Sequence, residues 1–504
     1  MSDPHGIRPP TTGVAADEVF RVEAHGMDHI PDADRHGGPR ELFWVWFGAN
    51  LTFTFVINGA LVVGLGLGFW AAVTVFAVGN LAFFLVGAAS VAGARAGAPT
   101  LVVARASFGR WGNYPAAVVN WLVSIGYIVL NTVVGVLALA VLGGLAGLGS
   151  GTPLLVAGLV LMIVCTAGVA VLGHATVEVM QRWLAIGLVV CTVVLGALVL
   201  PQADLSAGGT ESPGLWAWSL GLAIAVSGGP LSYIAICADF SRYLPRTSPG
   251  RGITVATGLG AMVPATALGV IGIAAATRVE VGEAADPVAA VAGLLPVWFQ
   301  VPFLLVVVGG CVTNTIMTLY SSGLNLQVLG VPLDRARTVL VQVVLVTAGS
   351  SVALFVVDFT EALLAFLSVM VVVFAPWAGV FLADMWLRRA RYDIEGLYAR
   401  SGGAYGYTRG FHRAGLTALA VGAGLAALSV DSVLWTGPLA GLLGADLSLL
   451  GGPAAALTYY LLVRSRRAPA PVAHESAPTT HETHESAPTT HETHESAPTT
   501  TENE

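Results

Sequence analysis

The sequence contains no lysine, so all 23 of its basic residues are arginine, and charged residues fill only 11% of its 504 positions. A soluble chain carries about a quarter charged residues. Here 55% of the residues are hydrophobic and the mean hydropathy is +0.77. Several apolar runs exceed the roughly 20 residues that cross a bilayer. The scarcity of charge therefore excludes a soluble globular protein and predicts a polytopic helical membrane protein.

Cysteine is also scarce, and its positions argue against a redox or metal role. The four cysteines, Cys165, Cys191, Cys237 and Cys311, lie inside or at the ends of apolar segments. No two have the spacing of a metal site, so we interpret them as small apolar core residues. The spans also lack a phosphate-binding glycine loop, an HExxH or GxSxG motif, and paired acids. We expect no enzymatic activity, no cofactor and no nucleic-acid partner.

The apolar segments predict about twelve membrane spans. They lie at 43–68, 71–93, 114–142, 153–173, 183–200, 215–238, 253–276, 298–322, 336–357, 361–386, 414–430 and 442–463. Arginines occupy every second connection, starting with that between spans 2 and 3, whereas the alternate connections together hold eight acidic residues, counting Glu361 at the start of span 10, and only one arginine, Arg278. By the positive-inside rule, this alternation predicts a protein of the cell membrane with both termini in the cytoplasm.

The spans divide the chain into five predicted regions. These are a cytoplasmic arm (1–42), spans 1–5 (43–200), spans 6–10 (215–386), spans 11–12 (414–463) and a cytoplasmic tail (468–504). The arm is too long and too acidic for a signal peptide, so we expect it to remain attached. From His474 the tail repeats a polar, proline-bearing decapeptide. That composition predicts disorder.

Span 6 contains a motif that predicts a broken helix. Ser227, Gly228, Gly229 and Pro230 lie near its middle. Glycine removes side-chain cover and proline deletes a backbone donor. Taken alone, the motif favours a kink that neighbouring helices absorb. Span 1 is interrupted as well, by small and polar residues at 46–54 and by Asn58 and Gly59. Two broken spans of opposite direction are typical of an inverted repeat with a binding site between them.

Polar side chains in spans 3 and 8 are expected to face these breaks. The stripe in span 3 consists of Asn120, Ser124, Tyr127 and Asn131, whose spacing places them on one helical face. Such a stripe is also typical of interhelical contacts worth about 1 kcal/mol or less each. In span 8, Asn314 and Thr318 lie one turn apart. Neutral oxygens of this kind suit a sodium ion or a neutral polar solute.

The central spans have no charged side chain near mid-depth. This absence indicates a neutral, flat, hydrogen-bonding solute, and it excludes a buried proton-relay carboxylate there. The rings of Tyr127 and Tyr233 are suited to stacking on such a solute. The amides of Asn131 and Asn314 each offer donors and an acceptor for its edge.

Short motifs spread over residues 23–389 resemble a known family. They are Gly26–Pro31 with Arg35, Phe43-Trp44, Trp46–Asn50, Gly97–Thr100, Arg105, Ser107–Gly109, Ala238–Pro245, Tyr320–Gly323, and Asp384 with Arg388. Their order and depth resemble the nucleobase:cation symporter-1 family, and most closely its purine–cytosine permease branch. The resemblance implies an all-α membrane protein similar to the APC superfamily. It would have about twelve spans, a five-plus-five inverted repeat with discontinuous helices 1 and 6, and two extra C-terminal helices.

The same resemblance implies a cation-coupled symporter that imports a nucleobase or a related ring by alternating access. It transfers substrate contacts to Tyr127, Asn131 and Tyr233, a polar pair to Asn314 and Thr318, and ion-ligating backbone to residues 48–52. With the stripe and the break, the predicted substrate-binding residues are Ser124, Tyr127, Asn131, Ser232, Tyr233, Asn314 and Thr318. The predicted sodium-binding residues are Gly48, Ala49, Thr52, Asn314 and Thr318.

Three positions depart from the family's usual residues. Tyr127 and Tyr233 stand where tryptophan is usual, and Thr318 where fungal members have asparagine. The smaller rings leave more room, so cytosine, a purine, hydantoin, allantoin and vitamin-like rings all stay open. The coupling ion is sodium or a proton, with sodium favoured by the lack of a midplane acid.

Other functions fit the sequence less well. An amino-acid transporter of the same repeat would need helix N-termini to hold a carboxylate. A passive channel predicts a continuous polar lining without a midplane break. A non-transporting receptor leaves the polar residues unexplained. The expected partners are a small heterocycle and membrane lipid, and the sequence leaves the oligomeric state open.

Overall fold

A computed structural model describes residues 26–172, 174–207, 214–279, 281, 286–330, 335–399 and 402–464. Most of the predicted arm and the whole predicted tail lie outside the described residues. Within these ranges the regular structure is helical, with two isolated β-bridges, Thr408 to Phe411 and Asp431 to Thr436.

The helices follow the apolar runs of the sequence. They are α1 (Pro39–Ala49), α2 (Thr54–Gly64), α3 (Phe69–Asn80), α4 (Phe83–Ala96), α5 (Thr100–Val103), α6 (Arg105–Phe108), α7 (Tyr114–Leu145), α8 (Thr152–Leu172), α9 (His174–Val199), α10 (Leu215–Ser227), α11 (Pro230–Ile234), α12 (Cys237–Ser241), α13 (Gly250–Ala276), α14 (Pro287–Gly293), α15 (Val297–Val328), α16 (Arg335–Phe355), α17 (Phe359–Leu387), α18 (Ile394–Tyr398), α19 (Arg413–Ser429), α20 (Pro438–Leu443) and α21 (Gly451–Arg464). Three short 3-10 helices occupy Asp32–Asp34, Leu200–Gln202 and Ser448–Leu450.

Seven of the predicted spans are long and apolar enough to cross a membrane. Six are helical stretches of the described residues, at Phe69–Ala96, Tyr114–Leu145, Leu215–Ile234, Gly250–Ala276, Val297–Val328 and Phe359–Leu387. The seventh is the bent pair α1 and α2. Shorter apolar helices, at Thr152–Gly168, Ile186–Gln202, Leu340–Phe355 and Arg413–Ser429, occupy predicted spans 4, 5, 9 and 11.

The last predicted span, 442–463, differs from a single continuous helix. Its first residues belong to α20, which ends at Gly444 in a left-handed conformation (φ 61°). Asp446 then turns the chain, because its carboxylate accepts hydrogen bonds from the backbone and hydroxyl of Ser448. The helix restarts at Gly451, so α21 is shorter than the apolar run.

Close helix contacts are made through glycine. A Cβ atom on Gly59 of α2 would lie 2.1 Å from the carbonyl oxygen of Gly269 in α13. One on Gly272 would lie 2.0 Å from the carbonyl oxygen of Val56. Small residues at such crossings let helices approach without an apolar driving force, as in other membrane bundles. The contact holds α2, which follows the first break, firmly against α13.

The carboxylate of the last family motif, Asp384, forms a buried network at the end of α17. Asp384 is 2% exposed and accepts hydrogen bonds from Ser107 Oγ (2.9 Å) and Tyr459 Oη (2.5 Å). Arg388 pairs with it at 2.8 Å and also donates to the hydroxyl of Tyr407. Asp384 therefore joins α6, α17 and α21.

Candidate functional site

The first break separates α1 from α2, whose axes differ by 63°. The helix ends because the backbone N–H groups of Asn50 and Leu51 turn back to the carbonyls of Phe47 and Gly48. The carbonyl of Ala49 instead accepts a hydrogen bond from Asn314 Nδ2 at 2.9 Å. The break lies within the predicted interruption at 46–54, whereas Asn58 and Gly59 lie inside continuous α2.

The second break separates α10, which ends at Ser227, from α11, which begins at Pro230. Proline suits the first position of a helix, where its missing N–H costs no hydrogen bond. Each freed carbonyl accepts a hydrogen bond from a side chain: Ser227 from Tyr127 Oη (3.2 Å), Gly228 from Asn58 Nδ2 (3.1 Å) and Gly229 from Ser232 Oγ (2.5 Å). The motif therefore interrupts the helix for two residues, with its carbonyls satisfied by side chains, while α10 and α11 together still form one apolar stretch, Leu215–Ile234.

Asn58 explains why glycine occupies position 228. A Cβ atom on Gly228 would lie 2.3 Å from Asn58 Nδ2, and one on Gly229 would lie 2.9 Å from the ring of Phe55. Both contacting residues belong to α2, so the helix that follows the first break packs directly against the second. Asn58 was not among the predicted site residues, and its only signal in the sequence is an asparagine in an apolar segment.

An amide pair lies between the two breaks. Asn131 Nδ2 of α7 donates to Asn314 Oδ1 of α15 at 2.8 Å, and to the backbone oxygen of Tyr127 at 2.9 Å. Asn314 Nδ2 donates to Ala49 O and to Tyr233 Oη at 3.0 Å. Asn131 and Asn314 are 1% and 6% exposed. Two buried side chains thus connect α1, α7, α11 and α15 by hydrogen bonds.

Thr52, which lies in the first break, is hydrogen-bonded to this amide pair. Its hydroxyl donates to Asn131 Oδ1 at 3.4 Å and lies 3.5 Å from the hydroxyl of Thr54. Asn50, which the predicted site omitted, is wholly buried, and its Oδ1 has no hydrogen-bond partner. The break therefore presents a carbonyl, a hydroxyl and an unpaired amide oxygen, all neutral.

Two tyrosines lie beside the amide pair, Tyr127 of α7 and Tyr233 of α11. The ring of Tyr127 meets Phe366 of α17 edge-on, with centroids 5.0 Å apart. The ring of Tyr233 meets Trp46 edge-on at 5.3 Å. Edge-to-face contacts of this kind fix ring orientation. Phe366 and Trp46 thus pack against the two tyrosine rings. Trp46 belongs to one of the family motifs, whereas no sequence pattern in the apolar run of α17 indicated a role for Phe366.

The remaining predicted residues make local contacts. Ser124 Oγ donates to Asn120 O, and Thr318 Oγ1 donates to Asn314 O, each within its own helix. Ser232 Oγ donates across the break to Gly229 O. The Gly48 carbonyl accepts from Leu51 N. Hydrogen bonds bring together six of the predicted residues, Tyr127, Asn131, Tyr233, Asn314, Ala49 and Thr52. Of the four others, Thr318 bonds to the backbone of Asn314, whereas Ser124, Ser232 and Gly48 make no hydrogen bond to Asn131 or Asn314 within the described part of the chain.

A cavity of about 20 Å³ adjoins the first break. Thr52 and Thr192 of α9 contribute the hydroxyls to its mainly apolar lining. That volume is about the size needed for one water-sized occupant. The backbone of α15 passes close by, because a Cβ atom on Gly310 would lie 2.8 Å from the carbonyl oxygen of Leu51.

The first acidic side chain beyond the second break is Asp239 of α12. Its Oδ1 accepts from Thr100 N (2.9 Å) and Thr100 Oγ1 (3.0 Å), which ties α12 to the start of α5. Burial raises the pKa of Asp239 to about 6, against the opposing effects of the Thr100 hydrogen bonds and the charge of Arg242. No acidic or basic side chain of the described residues makes a hydrogen bond to the amide pair.

Comparison with known proteins places these features in a family. The model of a family described as "Permease for cytosine/purines, uracil, thiamine, allantoin" matches residues 29–447. The chain is 23% identical over 461 residues to "Putative purine-cytosine permease YxlA" of Bacillus subtilis (strain 168), covering 89% of this chain and 97% of that protein. It is 27% identical over 438 residues to "Hydantoin permease" of Microbacterium maritypicum, covering 82% and 85%.

Solved structures show the same fold. Mhp1, a nucleobase-cation-symport-1 family transporter, matches in a closed conformation with bromovinylhydantoin bound, with a TM-score of 0.69, 22% identity, and 88% of this chain and 95% of that chain covered. Its inward-facing conformation matches with a TM-score of 0.70, 21% identity, and 89% and 95% covered. A manganese transporter of Eremococcus coleocola matches at 0.51 with 12% identity, over 87% of this chain and 97% of that chain. The fold therefore serves unrelated cargoes, and the cargo must be argued from the site.

Proposed function

The chain belongs to the family of permeases for cytosine/purines, uracil, thiamine and allantoin, and from that premise we propose that it imports a neutral, planar heterocycle together with a cation. Membership makes it a multi-pass membrane transporter and not an enzyme. The first candidate substrate is a nucleobase such as cytosine or a purine. Hydantoin and allantoin form the second group, favoured by the 27% identity to a hydantoin permease.

The amide pair carries the proposal. Asn131 and Asn314 are buried between two broken helices, where their amides hydrogen-bond to each other at 2.8 Å. A substrate that enters must exchange that bond for bonds of its own, and a ring with adjacent N–H and C=O groups offers one of each. A purely apolar ring would leave both amides unsatisfied, at a cost of about 1–3 kcal/mol for each buried group. The pair therefore selects rings with an amide-like edge.

The surrounding residues support a flat, uncharged ligand. The rings of Tyr127 and Tyr233 approach the pair from α7 and α11, and each is already held by another aromatic ring. Stacking of this kind is worth roughly 0.5–1.5 kcal/mol beyond the burial of area. An amino acid would bring a carboxylate, for which the described residues around the pair supply no cationic partner.

We assign the coupling cation to the first break and favour sodium over a proton. Ala49 O, Asn50 Oδ1 and Thr52 Oγ1 are neutral oxygens, the ligand type that alkali and alkaline-earth cations prefer. Ala49 and Asn314 share a hydrogen bond, so an ion at this break would act directly on the substrate-reading amide. Ser124, Ser232, Thr318 and Gly48 complete the proposed site as outer residues.

Alternating access follows from the two breaks under this proposal. Residues 43–200 and 215–386 form two inverted repeats. The broken helices α1–α2 and α10–α11 move relative to α7 and α15, which hold Asn131 and Asn314. Both termini and the long connections with arginine face the cytoplasm of the cell. The arm (1–42), spans 11–12 (414–463) and the tail (468–504) lie outside the repeats.

Uptake competition tests the proposal. Cells that express the chain are given labelled cytosine, adenine, hydantoin or allantoin, with sodium or with choline in its place. We expect saturable uptake of at least one ring, competed by its unlabelled form and reduced in choline. Uptake that is equal in choline but collapses with a protonophore would replace sodium by a proton. No uptake of any ring by correctly inserted protein would refute the proposal.

A further inference from the structure

A cavity of about 520 Å³ lies between the turn that precedes α7 and the described residues at 396–399 and 402–410. Its lining includes Arg105, Arg110, Trp111, Gly402, Gly403 and Arg409. No residue of the amide pair or of either break lines it, so the proposed substrate site does not account for it. Cavities of several hundred Å³ are typical of small-molecule sites.

The cavity is positively charged, and its charges lack counter-ions. Arg105 is 3% exposed; its Nη1 donates to Leu397 O at 2.9 Å, while its buried Nε has no hydrogen-bond partner. Arg110 repeats the pattern, because its Nη1 donates to Ala399 O at 3.1 Å and its Nε is buried and unpaired. Among the described residues, no acidic side chain lines the cavity or forms a salt bridge with either arginine.

Unpaired buried guanidinium groups are costly. A charge removed from water is tolerated in proteins when it is paired or hydrogen-bonded. Burial, and next the neighbouring charge of Arg110, lowers the pKa of Arg105. An anion in the cavity would offset both effects, since it would pair with the charges of the two arginines that line it.

Residues 402–410 on the other side of the cavity have an unusual backbone. The left-handed residues there are Gly402, Gly403, Tyr407, Arg409 and Gly410, with φ between 36° and 83°. Hydrogen bonds from Gly406 N to Gly403 O and from Gly410 N to Gly406 O hold this turn in shape. Trp111 N donates to Gly410 O at 3.0 Å, so the loop is held against the turn that carries Arg110.

We infer that this cavity binds a phosphate-bearing anion, with phosphate oxygens on Arg105 and Arg110 and the organic part beside Trp111. Guanidinium groups bind phosphate in bidentate fashion and are weakly hydrated, which suits a buried site. The volume exceeds that of one phosphate group, so a phosphate ester fits better than the bare ion. Two sources supply this chemistry: a soluble phosphomonoester and the headgroup of an anionic lipid.

Native mass spectrometry and equilibrium binding on the purified full chain test this inference. The probes are inorganic phosphate, adenosine 5′-monophosphate and phosphatidylglycerol, each compared with chloride at equal ionic strength. The variants are Arg110→Gln, Arg110→Lys and Arg409→Gln. The matched control is Arg391→Gln, because Arg391 is an exposed arginine that, like Arg409, lies between α17 and α19 but does not line the cavity. Arg110 is only partly buried, so its variants are expected to fold. Arg409 is exposed and lines the same cavity, so Arg409→Gln tests the effect of a cavity charge on binding without disturbing a buried group.

We expect at least one probe to bind the wild type saturably. Arg110→Gln should weaken that binding about tenfold or more, which corresponds to about 1.4 kcal/mol, Arg110→Lys should restore part of it, and Arg391→Gln should leave it unchanged. Binding of phosphatidylglycerol alone assigns the lipid headgroup, and binding of the soluble esters assigns a cytoplasmic source. If no probe binds saturably, or if Arg110→Gln and Arg391→Gln bind alike, the inference is wrong.

Discussion

Replacing Asn131 by leucine tests the substrate site most specifically. Leucine has a similar size and no polar group, so it removes the hydrogen bonds to Tyr127 O, Asn314 Oδ1 and Thr52 Oγ1. Asn314 Oδ1 then loses the donor from Asn131 in a side chain that is 6% exposed. Leaving such an acceptor unpaired costs about 1–3 kcal/mol of stability.

The effect on the substrate is expected to be of the same order. Asn131 offers a ligand one donor and one acceptor, and each hydrogen bond contributes about 0.5–1.5 kcal/mol net. Losing both amounts to about 1–3 kcal/mol, which raises the KM for uptake by about 5- to 150-fold. The assay is initial uptake of the labelled ring at several concentrations, normalised to the amount of protein in the membrane.

Asn80→Leu is the matched control. Asn80 is wholly buried, and its Nδ2 donates to Thr266 Oγ1 at 3.2 Å between α3 and α13, away from both breaks. It should lower thermal stability by an amount similar to Asn131→Leu while leaving KM unchanged. If Asn131→Leu keeps the wild-type KM, or if both variants raise KM equally, Asn131 does not read the substrate.

Three further predictions test the breaks and the buried acids. Gly228→Ala places a methyl group 2.3 Å from Asn58 Nδ2, so uptake should fall severely although the protein is inserted normally. The control Gly424→Ala, whose new methyl group meets no atom within 4 Å, should transport normally. Equal uptake by the two variants would show that the steric contact at Gly228 is not required. The pKa of Asp239, about 6, exceeds its ordinary value of 3.8, so between pH 3.8 and pH 6 the folded state binds more protons than the unfolded state. Thermal stability should therefore fall as the pH rises through this range. Asp239→Asn should flatten that slope, and an unchanged slope would contradict the raised pKa of Asp239. Asp384→Asn leaves Arg388 without its anion and should cost about 3–5 kcal/mol in unfolding measurements. The control Glu361→Gln, at an exposed position, should cost less than about 1 kcal/mol. Similar losses would show that the buried pair is not important.

Most of the fold could be predicted because membrane spans are fixed by local composition. Apolar runs located the helices, and the family's fold confirms the predicted class; the orientation that arginine placement predicts stays a prediction. The sequence predicts one span at 442–463, whereas the structure divides it between α20 and α21. Gly444 and Asp446 turn the chain there through contacts that hydropathy does not register. Likewise, glycine and proline predicted a break at 227–230, but not that Asn58 would cap it.

The site itself could be predicted only in part. Helical spacing placed Tyr127 and Asn131 on one face, and depth placed Asn314 opposite them. That Asn131 and Asn314 bond to each other depends on the crossing of α7 and α15, which no local pattern encodes. The role of Phe366 as a wall of Tyr127 has the same origin, since phenylalanine is ordinary in an apolar run. The assignment of Ser124 and Thr318 to the substrate remains a prediction.

A structure of the purified chain with the transported ring bound, determined by cryo-electron microscopy, tests the central claim most directly. The account predicts ring density between Tyr127 and Tyr233, within hydrogen-bonding distance of Asn131 and Asn314, with the present 2.8 Å bond between the two amides opened. Ring density elsewhere, with that bond intact, would contradict it.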